Sequence, residues 1–159
     1  MTTREELVEG FRMIIREGLR TTSTFSPDDW KRKVVDEGGT WTRKQAYAHI
    51  TGVAEVTPGF VGGLASAGPG TDAAVGFDID TFNAQLVAAK EQMSEKELMG
   101  AFKTAFEKLA DFVEAMPEEQ LDARAKFGLQ EGRVADIMDS ILILHSIAHI
   151  YGAGGSAQG

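Results

Sequence analysis

The sequence predicts an all-α protein: a four-helix bundle with short extra helices and a long glycine-rich loop. Three observations support this fold class. Apolar residues recur at helical spacing in four long segments, and residues that favour helix N-termini stand ahead of most of them. No segment alternates convincingly between apolar and polar residues, as a half-buried strand would. Four main helices of this length are typical of a four-helix bundle.

Composition limits the function classes. The 159 residues predict one domain over residues 1–151, followed by a flexible tail over 152–159. The net charge of −8 argues against nucleic-acid binding, which needs clustered lysine and arginine. The absence of cysteine excludes disulfides, a zinc ribbon, iron–sulfur ligation and a protein thiol nucleophile. No apolar run reaches 18 residues and the N-terminus is charged, so we expect no membrane segment and a cytoplasmic location.

The first helix is expected from about Thr3 to about Leu19, with glutamates in its N-terminal turn. Ser26-Pro27-Asp28-Asp29 is a helix start signal, because serine caps well and proline is favoured at the first helical position. The short helix that begins there is expected to stop at Gly38-Gly39.

A further helix is predicted to begin after Trp41-Thr42. Thr42 and Gln45 can form a capping box, and Trp41 can pack onto Ala46 as a hydrophobic staple. Pro58-Gly59 is expected to end or bend this helix. Residues 59–79 are then expected to be a glycine-rich loop, either functional or simply a mobile insertion.

Two more helices are predicted in the second half of the chain. Asp80 is expected to cap one that reaches about Gln92, and Ser94 with Glu97 begins another that ends before Pro117. The second carries a regular apolar stripe: Leu98, Phe102, Ala105, Leu109, Phe112 and Met116. Residues 117–131 are expected to be a connector closed by Gly128 and Gly132.

The last helix is predicted from about Val134 to Tyr151. A step of 100° per residue places its core face on Val134, Ile137, Ile141, Leu144, Ala148 and Tyr151. The opposite face then carries Ile143, Ile147 and Ile150. An exposed apolar patch of this kind predicts a contact, and we expect a twofold homodimer through it. The alternative is that the short helix after Ser26, or the tail, covers the patch within one chain.

The three histidines, His49, His145 and His149, all fall on faces predicted to point inward. His145 and His149 are four residues apart, so their rings project side by side one helical turn apart. Neutral imidazoles are good ligands for zinc, nickel, copper or iron, and three of them leave open positions on the ion, as in a catalytic site. The alternative is a buried polar trio bonded to hydroxyls and backbone, which costs energy unless every nitrogen finds a partner.

Several of these segments resemble a known family, and the resemblance covers nearly the whole chain. The glycine-x-tryptophan-threonine motif before the first histidine and the closing His-x-x-x-His pair are similar to the DinB/mycothiol-dependent maleylpyruvate isomerase superfamily. The matching segments are Asp29-Trp30, Gly38-Gly39-Thr40-Trp41-Thr42, Ala48-His49-Ile50, Asp78-Ile79-Asp80-Thr81-Phe82-Asn83-Ala84 and His145-Ser146-Ile147-Ala148-His149. The resemblance implies a four-helix bundle that holds one divalent ion (zinc, nickel or iron) on His49, His145 and His149.

The resemblance also implies an activity. A low-molecular-weight thiol such as mycothiol or bacillithiol would serve as cosubstrate, and the metal would activate it, or water, for attack on an electrophilic small molecule. Asn83 is the candidate substrate-binding residue, and no catalytic side chain is singled out. Since the chain has no cysteine, any sulfur nucleophile must come from the cosubstrate.

Two departures from the family argue against the isomerase reaction itself. The family's isomerases place a glutamate where His145 stands, and they carry an additional C-terminal domain that is not expected here. We therefore expect a metal-dependent thiol S-transferase or a related hydrolase. The alternative is a non-catalytic metal-binding or small-molecule-binding protein, for sequestration or resistance, on the same bundle.

Overall fold

The structure is a computed structural model that describes residues 1–34 and 41–155, with side chains described as far as residue 152. The elements in chain order are α1 (Arg4–Thr22), α2 (Pro27–Lys31), α3 (Arg43–Ala67), α4 (Ile79–Ala88), α5 (Glu95–Ala115), α6 (Glu118–Asp122), β1 (Arg124–Phe127), β2 (Gln130–Arg133), α7 (Val134–Met138) and α8 (His145–Gly155). A π-helical segment (Asp139–Leu144) joins α7 to α8, and these three pieces together are called the last helix.

The long helices form a closed ring of contacts around one apolar core. Helix α1 packs on α5, α5 on α3, α3 on α8, and α8 again on α1. The centre of the core is aromatic and consists of three fully buried side chains, Phe11, Phe102 and Phe106. The ring of Phe106 contacts both of the others. The predicted all-α bundle is confirmed, with a small antiparallel hairpin in addition.

Local capping signals set the helix starts. Thr42 with Gln45 and Ser94 with Glu97 form the capping boxes predicted from sequence, and Ser26 caps α2 with Pro27 in its first turn. Helix α1 has a further box between Thr3 and Glu6. These signals were readable because they involve only residues three apart in the chain.

Several helix ends differ from expectation because tertiary contacts decide them. Helix α1 continues to Thr22, whose hydroxyl donates to the Gly18 carbonyl oxygen at 2.9 Å. Helix α2 ends at Lys31 rather than at Gly38-Gly39, since the Val34 N–H donates to the Trp41 carbonyl oxygen at 2.9 Å and turns the chain back. Gly38-Gly39 themselves lie outside the described residues.

Helix α3 runs through Pro58 to Ala67, so of the two outcomes expected at Pro58-Gly59, an end or a bend, the end is wrong. Proline removes one helical hydrogen bond. Two side chains beyond it, Val61 and Leu64, are each 1% exposed, and their burial holds the second half of the helix on the core. The loop is therefore shorter than the predicted 59–79 and begins at Gly68, where φ is +74°.

Helix α4 begins and ends earlier than predicted. Its cap is Asp78 rather than Asp80, because the Asp78 carboxylate accepts from the Thr81 N–H at 3.1 Å, and the helix ends at Ala88 rather than near Gln92. The α5 stripe is confirmed, with Phe112 half-buried and the other five side chains buried.

The predicted connector over 117–131 contains α6 and the β1–β2 hairpin, which the sequence reading missed. The strands pair antiparallel in the register Arg124↔Arg133 to Phe127↔Gln130. Their two-residue loop begins with Gly128 at φ +60°, a backbone conformation that glycine adopts without strain. Strands of four residues are too short to show a clear alternation of apolar and polar residues.

The π segment changes which face of the last helix is buried. A π turn holds one residue more than an α turn, so every later residue is displaced by about one position around the axis. The predicted core residues Leu144 and Tyr151 are 59% and 55% exposed, and Ala148 is exposed as well. Their next neighbours, His145, His149 and Gly152, are buried or half-buried instead.

The same displacement removes the predicted dimer surface. Ile143 is 6% exposed and Ile150 is 1% exposed, and Ile147 packs half-buried against the core. Helix α1 covers this face, and a Cβ added to Gly10 would lie within 3.5 Å of three side-chain carbons of Ile143. The expectation of an exposed isoleucine triplet is wrong, and a homodimer through Ile143, Ile147 and Ile150 has no apolar surface to use.

The last helix is apolar enough over Val134–Gly152 to cross a membrane by length and composition, with a mean hydropathy of 1.3. Asp136 and Asp139 interrupt the apolar residues of this stretch, so it contains no uninterrupted apolar run of 18 residues. Half of the stretch is buried inside the bundle, and Asp136 within it accepts from the Thr2 N–H at 2.9 Å. These features are typical of the core helix of a globular protein.

Candidate metal centre

The bundle brings the three histidines together. His49 lies in the second turn of α3, and its position along the helix axis is fixed by the start of the helix at the cap residue Thr42. His145 and His149 lie in the first two turns of α8, directly after the π segment. The ring centroid of His49 lies 5.2 Å from that of His145 and 5.1 Å from that of His149. The ring centroids of His145 and His149 are 4.4 Å apart.

Two of the three histidines are buried, and His49 is uncharged at neutral pH. His49 and His149 are 2% and 3% exposed, and His145 is half-buried. Burial, together with the neighbouring His149 and His145 rings, lowers the pKa of His49 to about 3. At neutral pH this imidazole therefore has a free lone pair, which is the form that binds metal.

The donor set fits one divalent ion. One ring nitrogen from each histidine lies within 4.8 Å of the other two, and the Nε2 atoms of His145 and His149 are 2.9 Å apart. The Nδ1 atom of His49 is buried and has no hydrogen-bond partner among the described residues. A buried nitrogen without a hydrogen-bond partner costs free energy. In a polar trio bonded to hydroxyls this nitrogen would have a partner, whereas in a metal site a bound ion could serve as its partner.

Trp41 forms one wall of the histidine cluster. Its ring centroid lies 4.8 Å from that of His49 and 6.1 Å from that of His149. The sequence assigned Trp41 to a staple on Ala46, and the structure adds this contact with the histidines. An indole at this place keeps water from one side of the imidazoles.

A cavity of about 470 Å³ opens beside the cluster. His49 and His145 line its inner part, and Asn83 of α4, the predicted substrate-binding residue, also lines it. The remaining lining residues are Val53, Val56, Thr57, Phe60, Phe77, Ile79, Phe82, Phe127, Gln130, Ser140, Ile141 and Leu142. The volume is in the range of ordinary small-molecule sites, about 300–1,000 Å³.

Four phenylalanines form the outer wall of this cavity. Phe127 lies with its ring centroid 5.0 Å from Phe60 and 6.0 Å from Phe77, and Phe77 lies 5.0 Å from Phe82. Sequence reasoning missed this wall, because Phe60, Phe77 and Phe127 fall in segments predicted as loop or connector. Large aromatic residues inside a glycine-rich run were the signal available.

The loop over residues 68–78 is folded against the hairpin. One carboxylate oxygen of Asp72 accepts from the Ala74 N–H and from the Gly128 N–H, each at 2.9 Å, and the Ala73 N–H donates to the Lys126 carbonyl oxygen at 3.0 Å. These hydrogen bonds lower the pKa of Asp72. These contacts favour the functional alternative for this loop over a mobile insertion, and the loop places Phe77 in the cavity wall.

Comparisons with known proteins agree with the fold described above. The crystal structure of a histidine-to-alanine mutant of the mycothiol-dependent maleylpyruvate isomerase is similar with a TM-score of 0.65 and 14% sequence identity. The alignment covers 91% of this chain and 60% of that one, so the present chain spans about three fifths of its structural neighbour. At this identity the likeness establishes the fold. No curated protein is similar enough to this chain to be matched.

The family assignment rests on a longer match. The family model described as the mycothiol maleylpyruvate isomerase N-terminal domain matches residues 11–139, well over half of the chain. The match includes His49, Asn83 and the four phenylalanines of the cavity wall, and it ends at Asp139, the first residue of the π segment. The lining residues of the π segment, His145 and His149 lie beyond it. The chain belongs to the mycothiol maleylpyruvate isomerase N-terminal domain family, a helical DinB-like family.

Proposed function

We propose that this protein is a metal-dependent enzyme of the thiol-transferase type. In this proposal His49, His145 and His149 hold one divalent ion (zinc, nickel or iron), and a low-molecular-weight thiol such as mycothiol or bacillithiol attacks an electrophilic small molecule in the adjoining cavity. The observation that carries the proposal is a buried trio of imidazoles at the inner end of a cavity large enough for a ligand. Membership of a mycothiol-linked family supports the choice of thiol.

The chemistry divides between the ion and the chain. A bound divalent ion lowers the pKa of a thiol or of water, so that thiolate or hydroxide forms near neutral pH. The three imidazoles are neutral ligands and leave the charge of the ion uncompensated. Trp41 and the phenylalanine wall exclude water, which strengthens every electrostatic interaction inside the cavity.

Asn83 is proposed to orient the substrate. Its side chain lines the cavity on the α4 side, and within the described ranges its amide makes no hydrogen bond to another residue. A neutral amide offers both a donor and an acceptor to a ligand. The isomerisation of maleylpyruvate, named for the structural neighbour, is not part of this proposal. The protein is proposed to act in the cytoplasm, where small thiols are kept reduced.

A second candidate uses water in place of the thiol. Hydroxide at the same site would hydrolyse an electrophile rather than conjugate it, and nothing in the donor set favours one nucleophile over the other. The non-catalytic alternative, a binding protein for sequestration or resistance, would keep the metal and the cavity without turnover.

The test is thiol consumption with a generic electrophile such as 1-chloro-2,4-dinitrobenzene. The full chain, reloaded in turn with zinc, nickel or iron, is mixed with mycothiol and the electrophile, and conjugation is followed by absorbance. We expect conjugation above the uncatalysed rate with at least one metal, and its loss on treatment with chelator. Hydrolysis without thiol loss would favour the second candidate, and metal binding without any turnover would favour the binding protein.

Matched variants locate the site. Elemental analysis should find about one ion per chain in the parent and in Asn83→Ala, and at least a tenfold weaker affinity in His49→Ala. Both side chains line the same cavity, so general damage to the cavity would affect the two variants alike. Equal metal content in His49→Ala and the parent would overturn the assignment of the ligands.

A further inference from the structure

We propose that the ligand of the cavity is an uncharged molecule with a flat apolar body, aromatic or alicyclic, and one neutral hydrogen-bonding group. That this ligand is a substrate rests on the proposed function. The preference of the cavity for such a ligand does not depend on any catalysed reaction. The proposal excludes carboxylates as good ligands of the cavity wall.

The cavity has no charged side chain to receive an anion. Its polar lining, apart from the histidines, consists of Thr57, Asn83, Gln130 and Ser140, all of them neutral. Thr57 already donates its hydroxyl hydrogen to the Val53 carbonyl oxygen at 2.7 Å. Among the described residues that line the cavity there is no lysine, arginine, aspartate or glutamate. Away from the histidines, where no ion would be held, a carboxylate moved from water into such a wall loses hydration without gaining an ion pair.

The surrounding chain does not supply the missing cation. Lys126 is adjacent in sequence to the lining residue Phe127, but successive side chains of a strand point to opposite faces, so Lys126 faces away from Phe127. The molecule as a whole carries a net charge of −8, which repels anions as they approach.

The shape of the wall favours a flat body. The ring of Phe127 meets Phe60 at an interplanar angle of 81° and Phe77 at 64°, so this wall is built of aromatic rings in edge-to-face contact. Aromatic groups prefer offset-stacked or edge-to-face neighbours, and each such contact adds to simple burial. Two branched residues, Ile141 and Leu142, supply an apolar surface from the last helix.

One neutral polar group of the ligand finds a partner at Asn83. The side chain is half-buried and, as described above, has no partner among the described residues. A ketone, amide or hydroxyl can pair with an amide without the desolvation cost of a charge. A ligand without any such group would leave Asn83 unpaired on binding and should bind less tightly.

The test compares two ligands that share an aromatic body. Isothermal titration calorimetry measures binding of 2-acetylnaphthalene, a neutral ketone, and of 2-naphthoate, a carboxylate, to the full chain after chelator treatment. We expect the ketone to bind at least tenfold more tightly than the carboxylate. Removal of metal keeps the carboxylate from binding an ion directly, and the readout does not depend on thiol chemistry. A negative thiol assay therefore does not contradict the binding preference, and a negative binding result does not contradict the proposed thiol-transferase activity.

A charge introduced into the wall should change the preference. Val56 lines the cavity and is 38% exposed, so Val56→Arg can place a guanidinium at the cavity without burying it fully. We expect Val56→Arg to bind 2-naphthoate at least fivefold more tightly than the parent does. Val75→Arg, at a position that is 81% exposed and outside the lining, should leave both affinities within twofold. Equal binding of the two ligands to the parent, or no binding of the ketone, would overturn the proposal.

Discussion

His49 combines two properties that rarely coexist in one side chain: it is polar and it is 2% exposed inside an apolar bundle. The chain has only three histidines, and the structure places all three within one cluster. Helical spacing in the sequence predicted that all three point inward, although in the structure the orientation of His145 and His149 also depends on the π segment before them. Their mutual distances could not be predicted, since these depend on how α3 and α8 pack.

The metal-free protein should lose stability on mild acidification because of His49. Its folded pKa of about 3 lies below the unfolded value of about 6.5, so between these limits the unfolded chain binds a proton that the folded chain does not. The contribution of His49 is therefore complete above pH 6.5 and is lost progressively as pH falls. From pH 6.5 to pH 5 we expect a loss of roughly 1.5 kcal/mol in the free energy of unfolding.

Urea unfolding of the chelator-treated protein at the two pH values measures this loss. His49→Gln keeps a polar side chain at the position but cannot take up the proton, so its stability should fall by roughly 1.5 kcal/mol less over the same interval. An identical pH dependence in the parent and in His49→Gln would show that the folded protein protonates His49 as readily as the unfolded chain does.

At the scale of whole elements, the sequence located helix starts better than helix ends. Capping boxes at Thr42 and Ser94 are local, and both were predicted. The continuation of α3 through Pro58 depends on burial of Val61 and Leu64 by residues distant in the chain, and local propensity gave no sign of it. The β1–β2 hairpin was missed for the same reason, because Phe127 of this hairpin packs against Phe60 and Phe77, which are distant in the chain.

The π segment is the element that orients two of the three candidate metal ligands, His145 and His149. It adds one residue to the turn between α7 and α8, and thereby brings His145 and His149 onto the inner face. Such insertions occur mostly as single-turn bulges inside α-helices and frequently at functional sites. Helical spacing read from sequence assumes a uniform 100° step, so it placed Leu144, Ala148 and Tyr151 on the inner face instead.

Two single-residue deletions test this role. Deleting Ser140 removes the extra residue, which should convert the π turn to an α turn and leave the orientation of α8 unchanged. Deleting Ala148, an exposed residue of α8, should rotate His149 by about 100° away from the centre. We expect calorimetric zinc affinity close to that of the parent for the first variant and a loss of at least tenfold for the second. Comparable losses in both would contradict the assignment of the bulge.

The loop over residues 68–78 should depend on Asp72 for its position. In Asp72→Ala the N–H groups of Ala74 and Gly128 lose their acceptor, so both should exchange with solvent faster. Hydrogen exchange by mass spectrometry on peptides from the loop and the hairpin measures this change. Asp80→Ala, an exposed aspartate of α4, is the control and should leave both peptides unchanged. Unchanged exchange in Asp72→Ala would show that other contacts hold the loop.

The same carboxylate makes the loop sensitive to strong acid only. Hydrogen bonds from Gly128 and Ala74 lower the pKa of Asp72, so its contribution is complete above the ordinary aspartate range and is lost as pH falls below it. The loss of protection expected of Asp72→Ala at neutral pH, taken relative to the intrinsic exchange rate at each pH, should therefore appear in the parent only in that acidic range.

For the whole molecule, the approach of α1 to α5 sets how tightly the bundle closes. Gly18 lies on α1 against Phe102 of α5, and a Cβ added to it would lie 2.5 Å from the tip of that ring. Phe102 is fully buried, with Phe106 5.1 Å away and Tyr47 5.8 Å away between ring centroids. The ring therefore has no free space to move into, and the two helices are as close as they can be.

Two glycine-to-alanine variants should shift the stability of the whole bundle in opposite directions. Alanine favours a helix over glycine by up to about 1 kcal/mol. Gly100 lies in α5 with nothing within 4 Å of an added Cβ, so Gly100→Ala should gain that amount. Gly18→Ala gains the same propensity but must displace Phe102, and overpacking of a filled core costs about 1–3 kcal/mol. Urea unfolding at neutral pH should therefore find Gly100→Ala above the parent and Gly18→Ala below it, whereas equal stabilisation of both would mean that α1 and α5 pack less closely than described.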